Sequence, residues 1–238
     1  MLASSRVGHE MTVSTHIHTL WTVGSYAYLL EGPEGLALVD AGLWRNGAPI
    51  LRALRRLGRD DLRLIFLTHA HVDHYGGAAA ISRATGAPIA IHHADGDALA
   101  QGANPLRAAP HGPGRWLAPL FTKVTQWERP PPTQPDLLLR DGDRLGDFGL
   151  DAVVLHTPGH TPGSACLWVA EQWLFAGDLL SSTGRPHAQR YLATDWDALA
   201  TSLRRVQVLR PPLTYPGHGR QPIPVNALAT ICQHGGIQ

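Results

Sequence analysis

The chain has 238 residues, with 20 basic and 19 acidic side chains and a formal net charge of +1. This length is sufficient for one domain with a full hydrophobic core, and a composition of 44% hydrophobic and 16% charged residues is typical of a globular protein. The balanced charge excludes the basic surface expected for nucleic acid or an anionic membrane. We therefore expect a small-molecule substrate and neither of those partners.

The beginning of the chain lacks the pattern of a folded element. Residues 1–14 contain no apolar run of the length of a signal peptide, and no later segment has the roughly twenty apolar residues of a membrane-spanning helix. We predict a flexible extension at 1–14, a single domain at 15–238 and a cytoplasmic location. The two cysteines, Cys166 and Cys232, lie far apart in the sequence, which favours reduced thiols.

The first half of the domain alternates short strands with helices. Ile50, Leu54 and Leu57 recur at helical spacing, with arginines between them, which predicts an amphipathic helix. Short apolar runs between glycine and proline turns predict strands. In chain order we expect a three-stranded meander, this helix, a buried strand, a second helix and a further strand, at 17–21, 25–31, 36–40, 48–57, 63–67, 76–85 and 88–92.

A cluster of metal-ligand side chains follows the strand predicted at 63–67. Alternation places His69 and His71 on one side of an extended segment, and Asp73 and His74 follow on the turn into the next helix. A lone histidine is more often a hydrogen-bonded structural residue, but neutral imidazoles and carboxylates at this spacing are the donors that divalent metals prefer. The segment therefore predicts ligands for two adjacent metal positions.

The pattern changes between residues 101 and 136. This region is rich in proline and glycine, and long connections of this kind in a compact domain are usually functional or disordered. It also contains Trp116, Phe121 and Trp127, which a solvated spacer would not need. We predict that 101–136 is a lid-like insertion that shapes a substrate cleft, with a solvated spacer as the alternative.

The second half again alternates strands and turns before a helix. Asp195 and Asp197 stand near the start of the helix predicted at 195–209, where the helix dipole favours negative charge. The periodicity alone supports a mixed α and β chain, with ligand-type residues on loops at strand ends. The predicted strands are 136–140, 144–145, 150–156, 165–169, 173–176 and 213–215, and a final helix is predicted at 225–234.

The motifs, in their order, resemble those of the metallo-β-lactamase superfamily. The segment from His69 to His74 is similar to the family's HxHxDH signature, and it is followed by Pro-Gly-His160, Ala-Gly-Asp178 and Pro-Gly-His218. The Val-Asp40-Ala-Gly segment resembles the first motif of the family. The resemblance extends from about residue 15 to 220. It implies an α+β fold, a four-layer αββα sandwich.

The same resemblance implies a ligand set for two metal ions. His69, His71 and His160 would hold one ion, and Asp73, His74 and His218 would hold the other. Asp178 would bridge them, and Asp40 would hydrogen-bond a ligand histidine and so support it. The expected ions are zinc, with iron or manganese as alternatives.

Two functions are compatible with this resemblance. Glyoxalase II-like and lactonase-like members are hydrolases, which implies cleavage of an ester, thioester or lactone by a metal-bridging hydroxide that Asp73 orients as a catalytic residue. The alternative is a persulfide dioxygenase, in which His69, His71 and His160 hold a single iron. The hydrolase is the preferred hypothesis, and the dioxygenase stays open because Asp73, His74 and His218 can persist without a second metal.

Overall fold

The structure is a computed structural model that describes residues 16–32, 34–43, 46–103 and 132–231. The extension predicted at 1–14 and all but the ends of the insertion predicted at 101–136 lie outside the described residues. Among the helices within these ranges, none is both long enough and apolar enough to cross a membrane.

The first sheet contains six strands in the order β1-β2-β3-β4-β5-β6. Strands β1 to β3 form the predicted antiparallel meander, and β3 to β6 pair in parallel. Parallel neighbours need crossover connections, and helices provide those on either side of β4. The strands are His16–Trp21, Tyr26–Gly32, Gly35–Val39, Leu62–Leu67, Ile89–His92 and Leu137–Leu139, and helices α1 to α4 are Ala48–Leu57, Val72–Tyr75, Ala78–Thr85 and His93–Ala100.

The second sheet contains six strands in the order β12-β11-β9-β8-β7, with β10 beside β9. Strands β7, β8 and β9 form a second antiparallel meander, and β11 runs parallel to β9 after a helical crossover. A short 3-10 helix, Gly146–Phe148, precedes β7. Strands β7 to β12 are Ala152–His156, Ala165–Val169, Trp173–Ser181, His187–Ala188, Leu213–His218 and Ile223–Pro224, and helices α5 and α6 are Trp196–Leu209 and Val225–Ala229.

Side-chain alternation along the strands divides the interior into three apolar layers. In β4, Leu64 and Phe66 pack between the two sheets, whereas Ile65 and Leu67 pack under α1 and α3. Leu174, on the outer face of the second sheet, packs under α5. Helices thus cover both outer faces, and the predicted αββα sandwich is confirmed.

One predicted strand belongs to a different sheet. Residues 136–140 were expected to open the second meander, but β6 pairs with β5 at the edge of the first sheet, where Leu138 lies opposite Ile91. A run of three leucines has the same pattern at either sheet edge, so the choice depends on which edge is near. The prediction of the strand was correct, and its placement in the second meander was wrong.

The metal motifs are also more deeply embedded in regular structure than expected. Strand β9 continues to Ser181 and β11 continues to His218, so Asp178 and His218 lie within strands and not on loops beyond them. Asp73 and His74 lie in the one-turn helix α2. Glycine and proline in these motifs indicate turns, but β11 keeps its pairing with β9 through register shifts around Pro216.

The loop between β7 and β8 depends on Gly159, which precedes His160. Gly159 has φ 134°, and a Cβ atom there would overlap the backbone of Leu199 in α5. We expect Gly159→Ala to lower the free energy of unfolding by more than about 2 kcal/mol, because α5 would have to move away from the loop. The control is Gly142→Ala, with φ 85° and open space around the added methyl group. Urea unfolding of both variants measures the two free energies of unfolding. An equal decrease in both variants would contradict the role assigned to Gly159.

Candidate metal centre

The seven predicted ligand residues meet where the ends of β4, β9 and β11 come together. His69 and His71 follow β4, and His160 lies between β7 and β8. Donor atoms group His69, His71 and His160 with Asp178, and separately group the remaining residues. We call His69, His71 and His160 the first trio, and the other three the second trio: Asp73, His74 and His218.

The first trio directs three ring nitrogens toward one point. His71 Nδ1 lies 3.1 Å from His69 Nε2 and 2.9 Å from His160 Nε2. Asp178 Oδ2 adds a carboxylate oxygen 3.2 Å from His160 Nε2 and 4.0 Å from His69 Nε2. Ligands of a tetrahedral ion with bonds of about 2.0–2.1 Å lie roughly 3.4 Å apart, and the four spacings of 2.9 to 4.0 Å lie on either side of that value.

The second trio lies on the other side of the same carboxylate. Asp73 Oδ2 is 3.7 Å from His74 Nε2 and 3.6 Å from His218 Nε2. Asp178 Oδ1 lies 3.3 Å from His74 Nε2, and Asp178 Oδ2 lies 3.1 Å from His218 Nε2. Asp178 therefore contacts both trios and is placed to be shared between two cations.

Asp40 orients a histidine of each trio. A carboxylate oxygen can only accept here, so the Nδ1–H of His74 donates to Asp40 Oδ2 at 2.8 Å, and in the neutral ring the Nε2 lone pair faces the site. Thr68 donates to Asp40 through its hydroxyl and through its backbone N–H at 2.8 Å. The Thr68 hydroxyl oxygen then accepts from the His69 Nδ1–H at 3.0 Å, which leaves His69 Nε2 as a donor to metal.

The β1–β2 hairpin supports the second trio from the other side. The Nδ1–H of His218 donates to the Gly24 carbonyl at 2.7 Å, so its Nε2 also faces the site as an acceptor. Ser25 donates its hydroxyl to the Asp73 carbonyl at 2.6 Å. The hairpin thus sets the tautomer of His218 and fixes the backbone that carries Asp73.

The charges around the second trio favour a cation. Burial by itself lowers the pKa of His74, but Asp178 and Asp40 outweigh it and hold this pKa well above its usual value. For His218, burial is again outweighed, chiefly by Asp178, and the pKa rises to about 9. Burial would raise the pKa of Asp178, yet the surrounding imidazoles hold it well below the usual range. A divalent cation would satisfy the same carboxylates that these protons satisfy.

His69 in the first trio has the opposite character. Burial lowers its pKa well below the usual value, and neighbouring imidazoles lower it further. A neutral imidazole is the form that binds a metal ion. His69 Nε2 is therefore suited to coordinate a metal ion.

Unsatisfied atoms are consistent with a metal at this position. His74 Nε2 and Asp178 Oδ1 are buried, and neither makes a hydrogen bond within the part of the chain that the structure describes. Buried polar atoms are almost always paired, and these two face each other at 3.3 Å. Because the donors are imidazoles and carboxylates, the residues fit two divalent cations of the zinc, iron or manganese type.

One side of the centre is open. The side chains of Asp73 and His218 are 29% and 21% exposed, whereas His69, His74 and Asp178 are at most 5% exposed. The second trio therefore lies on the more exposed side of the cluster. The predicted lid at 101–136 falls almost entirely outside the described residues.

Four residues that contact the site or its loops escaped the sequence reasoning: Gly24, Ser25, Thr68 and Asp95. Gly24 and Ser25 act through a carbonyl and a hydroxyl in a turn, and such groups carry no motif. Asp95 is a buried acid in the first turn of α4, three residues after the end of β5, and burial of an acid indicates a structural or functional role. Nothing in its spacing relates it to the metal motifs.

Comparison with known proteins agrees with this geometry. A model of the metallo-beta-lactamase superfamily matches residues 20–218. Acyl-coenzyme A thioesterase MBLAC2 of Bos taurus is 35% identical over 177 residues, which cover 64% of this chain and 57% of MBLAC2. The chain thus spans less than two thirds of that relative. Uncharacterized protein ML0493 of Mycobacterium leprae is 33% identical over 199 residues, which cover 81% of this chain and 85% of ML0493.

A solved structure shares the fold over most of its length. TTHA1623 in a di-iron-bound form is 30% identical with a TM-score of 0.65, and the match covers 90% of this chain and 97% of TTHA1623. The family model covers most of the chain and includes every residue of both trios. The chain therefore belongs to the metallo-beta-lactamase superfamily, as its motifs predicted.

Proposed function

We propose that this chain is a dinuclear metal hydrolase that cleaves an acyl thioester, with esters and lactones as chemically related substrates. One observation carries the proposal: two separate trios of donor atoms lie on either side of the buried Asp178 carboxylate, which contacts both. A carboxylate shared in this way is suited to two neighbouring cations. Two-cation centres are typical of hydrolytic enzymes.

The curated relatives support the thioester among the possible substrates. MBLAC2 of Bos taurus and of Homo sapiens, at 35% and 34% identity, are named acyl-coenzyme A thioesterases. Because the matched region covers 57% of those proteins, their substrate is adopted here only as a hypothesis. A thioester carbonyl requires an activated water and a stabilised sulfur leaving group, which suits a centre of this type.

The metal ions would be held by the two trios. His69, His71 and His160 would bind the first, and Asp73, His74 and His218 the second, with Asp178 between them. We propose zinc, with iron as the alternative that the di-iron form of TTHA1623 favours. When bound, such ions lower the pKa of a coordinated water and polarise the carbonyl that is attacked.

Among the side chains, Asp73 is the proposed catalytic residue. Its carboxylate faces the open side of the centre, while its backbone is held by Ser25. It would accept a hydrogen bond from the attacking water and so orient that water toward the carbonyl. His69 and His74 are buried, and each is held in orientation by a hydrogen bond at Nδ1, which suits binding rather than proton transfer.

The mononuclear-iron dioxygenase would use the first trio alone. Convergence of the second trio supports the hydrolase, because His74 and His218 are each locked in the tautomer that presents Nε2 to the site. This alignment suits a second ion, which the dioxygenase would not require. We therefore place the hydrolase first.

Metal content and substrate range test the proposal. The protein is purified without added metal and analysed by elemental mass spectrometry, and acyl-coenzyme A thioesters, esters and lactones are then assayed. We expect about two equivalents of metal per chain and thioester hydrolysis that a chelator abolishes. About one equivalent of iron, with oxygen uptake in the presence of a persulfide, would instead establish the dioxygenase.

A further inference from the structure

Asp95 is a buried carboxylate that belongs to neither trio. It lies in the first turn of α4 and is 2% exposed. Its Oδ2 accepts hydrogen bonds from the Ala70 N–H at 2.9 Å and the Thr161 hydroxyl at 2.7 Å, and its Oδ1 accepts from the Gly163 N–H at 2.7 Å. Within the described ranges, no cationic side chain forms an ion pair with it.

The donors to Asp95 come from the two loops that carry the first trio. Ala70 stands between His69 and His71, and Thr161 follows His160 directly. These loops belong to different sheets, since one follows β4 of the first sheet and the other joins β7 to β8 in the second. A single carboxylate therefore joins the loop with two ring ligands to the loop with the third.

The surroundings of Asp95 allow little adjustment. The Ser164 hydroxyl is hydrogen-bonded to the Thr161 hydroxyl at 2.8 Å and also accepts the Thr161 N–H at 3.0 Å. The loop that carries His160 is therefore held at several points. A Cβ atom at Gly163 would lie 2.5 Å from Asp95 Cγ, which means that only glycine allows the close approach. The contact between α4 and the loop after β7 therefore requires both Asp95 and Gly163.

We propose that Asp95 is a positioning residue that sets the separation of His69 and His71 from His160, and thereby the metal affinity of the first trio. The inference rests on the proposed function, because it assumes that the first trio binds a metal. Asp95 acts through the backbone of both loops and does not itself contact the centre.

The chemistry favours a carboxylate at this position. Three donors converge on Asp95, and two carboxylate oxygens accept them all. An asparagine would place an N–H₂ group against at least one donor, leaving a buried group unsatisfied and pushing one loop away. Because ligand geometry must hold within fractions of an ångström, such a shift would weaken the first position more than the second.

Cobalt binding to the full chain tests this proposal directly. Metal is removed by chelation, Co²⁺ is titrated in, and the visible spectrum reports each position. The bands lost in His71→Ala identify the first trio. We expect Asp95→Asn to weaken Co²⁺ binding at the first trio about tenfold to a hundredfold, the range seen when residues that orient metal ligands are changed. Binding at the second trio should change little.

Two further variants keep the experiment decisive. Asp136→Asn is the matched control, because Asp136 also accepts a backbone N–H, from Ile89 at 2.8 Å, but at the opposite end of β5 from Asp95; it should leave both affinities unchanged. If Asp95→Asn does not fold, Thr161→Val removes one donor only. It should produce a smaller weakening at the same position.

The outcomes separate this inference from the proposed function. Two cobalt ions bound by the unmodified chain, with equal affinities and spectra in Asp95→Asn, would overturn the role of Asp95 and leave the metal centre intact. Equal weakening at both positions would also overturn it, since that indicates a general loss of structure. No cobalt binding by the unmodified chain would overturn both.

Discussion

Asp178→Asn is expected to reduce metal content from about two equivalents to less than one and to lower hydrolysis about a thousandfold or more. The carboxylate of Asp178 contacts both trios, with Oδ1 facing His74 and Oδ2 facing His160 and His218. An amide keeps the shape but lacks the negative charge that two neighbouring cations require. Elemental mass spectrometry and the rate of thioester cleavage measure the two effects.

Two further variants serve as comparisons for Asp178→Asn. His71→Ala removes a ligand of the first trio alone, so we expect it to lose about one metal equivalent and retain the other. Asp141→Asn changes an exposed carboxylate that pairs with Arg205 at 2.8 Å, and metal content should not change. Full metal content and turnover in Asp178→Asn would show that the centre lies elsewhere.

Asp40→Ala is expected to lower the free energy of unfolding by about 3–5 kcal/mol and to weaken both metal positions. Asp40 is 1% exposed and accepts hydrogen bonds from His74 and from Thr68, which in turn orients His69. Its removal leaves a buried imidazole and a backbone N–H without their acceptor. Urea unfolding with and without metal measures the change.

Asp61→Ala is the control for Asp40. Asp61 is paired with Arg59 at the surface, where its side chain is 40% exposed, and exposed ion pairs contribute little to stability. We expect a far smaller loss of stability and no change in metal affinity. A loss in Asp40→Ala no greater than in Asp61→Ala would contradict the role assigned to the Asp40 network.

The backbone of Asp40 has an unusual conformation. It has φ 60°, a left-handed conformation that costs a non-glycine residue about 1–2 kcal/mol. The hydrogen bonds to Thr68 and His74 hold it there. Strain of this kind persists only where surrounding structure over-determines the conformation, and here the same bonds orient the histidines proposed as ligands.

Local sequence patterns predicted much of the fold and part of the candidate site. Apolar periodicity located α1, α5 and the central strands, because helix and strand repeats are properties of neighbouring residues. The cluster from His69 to His74 could be recognised for the same reason, since its ligands lie within six residues of one another. The order of the later motifs then indicated the family and the αββα layers.

Pairing between distant segments could not be predicted in this way. Strand β6 pairs within the first sheet although its sequence suits either sheet, and β11 stays paired with β9 through Pro216 to His218. Both outcomes depend on which edge or neighbour lies nearby. That information is absent from a short window of sequence.

The sequence by itself determined which donor residues are present, the family to which they belong and the layers that carry them. Only the tertiary structure decided how those donors meet: His71 and His160, separated by 89 residues, approach to 2.9 Å. The tertiary structure alone also placed Asp95, Gly24 and Ser25 beside the residues of the two trios or their loops. The physical reason is that these contacts join loops from two packed sheets, and their distances depend on the packing of the whole core.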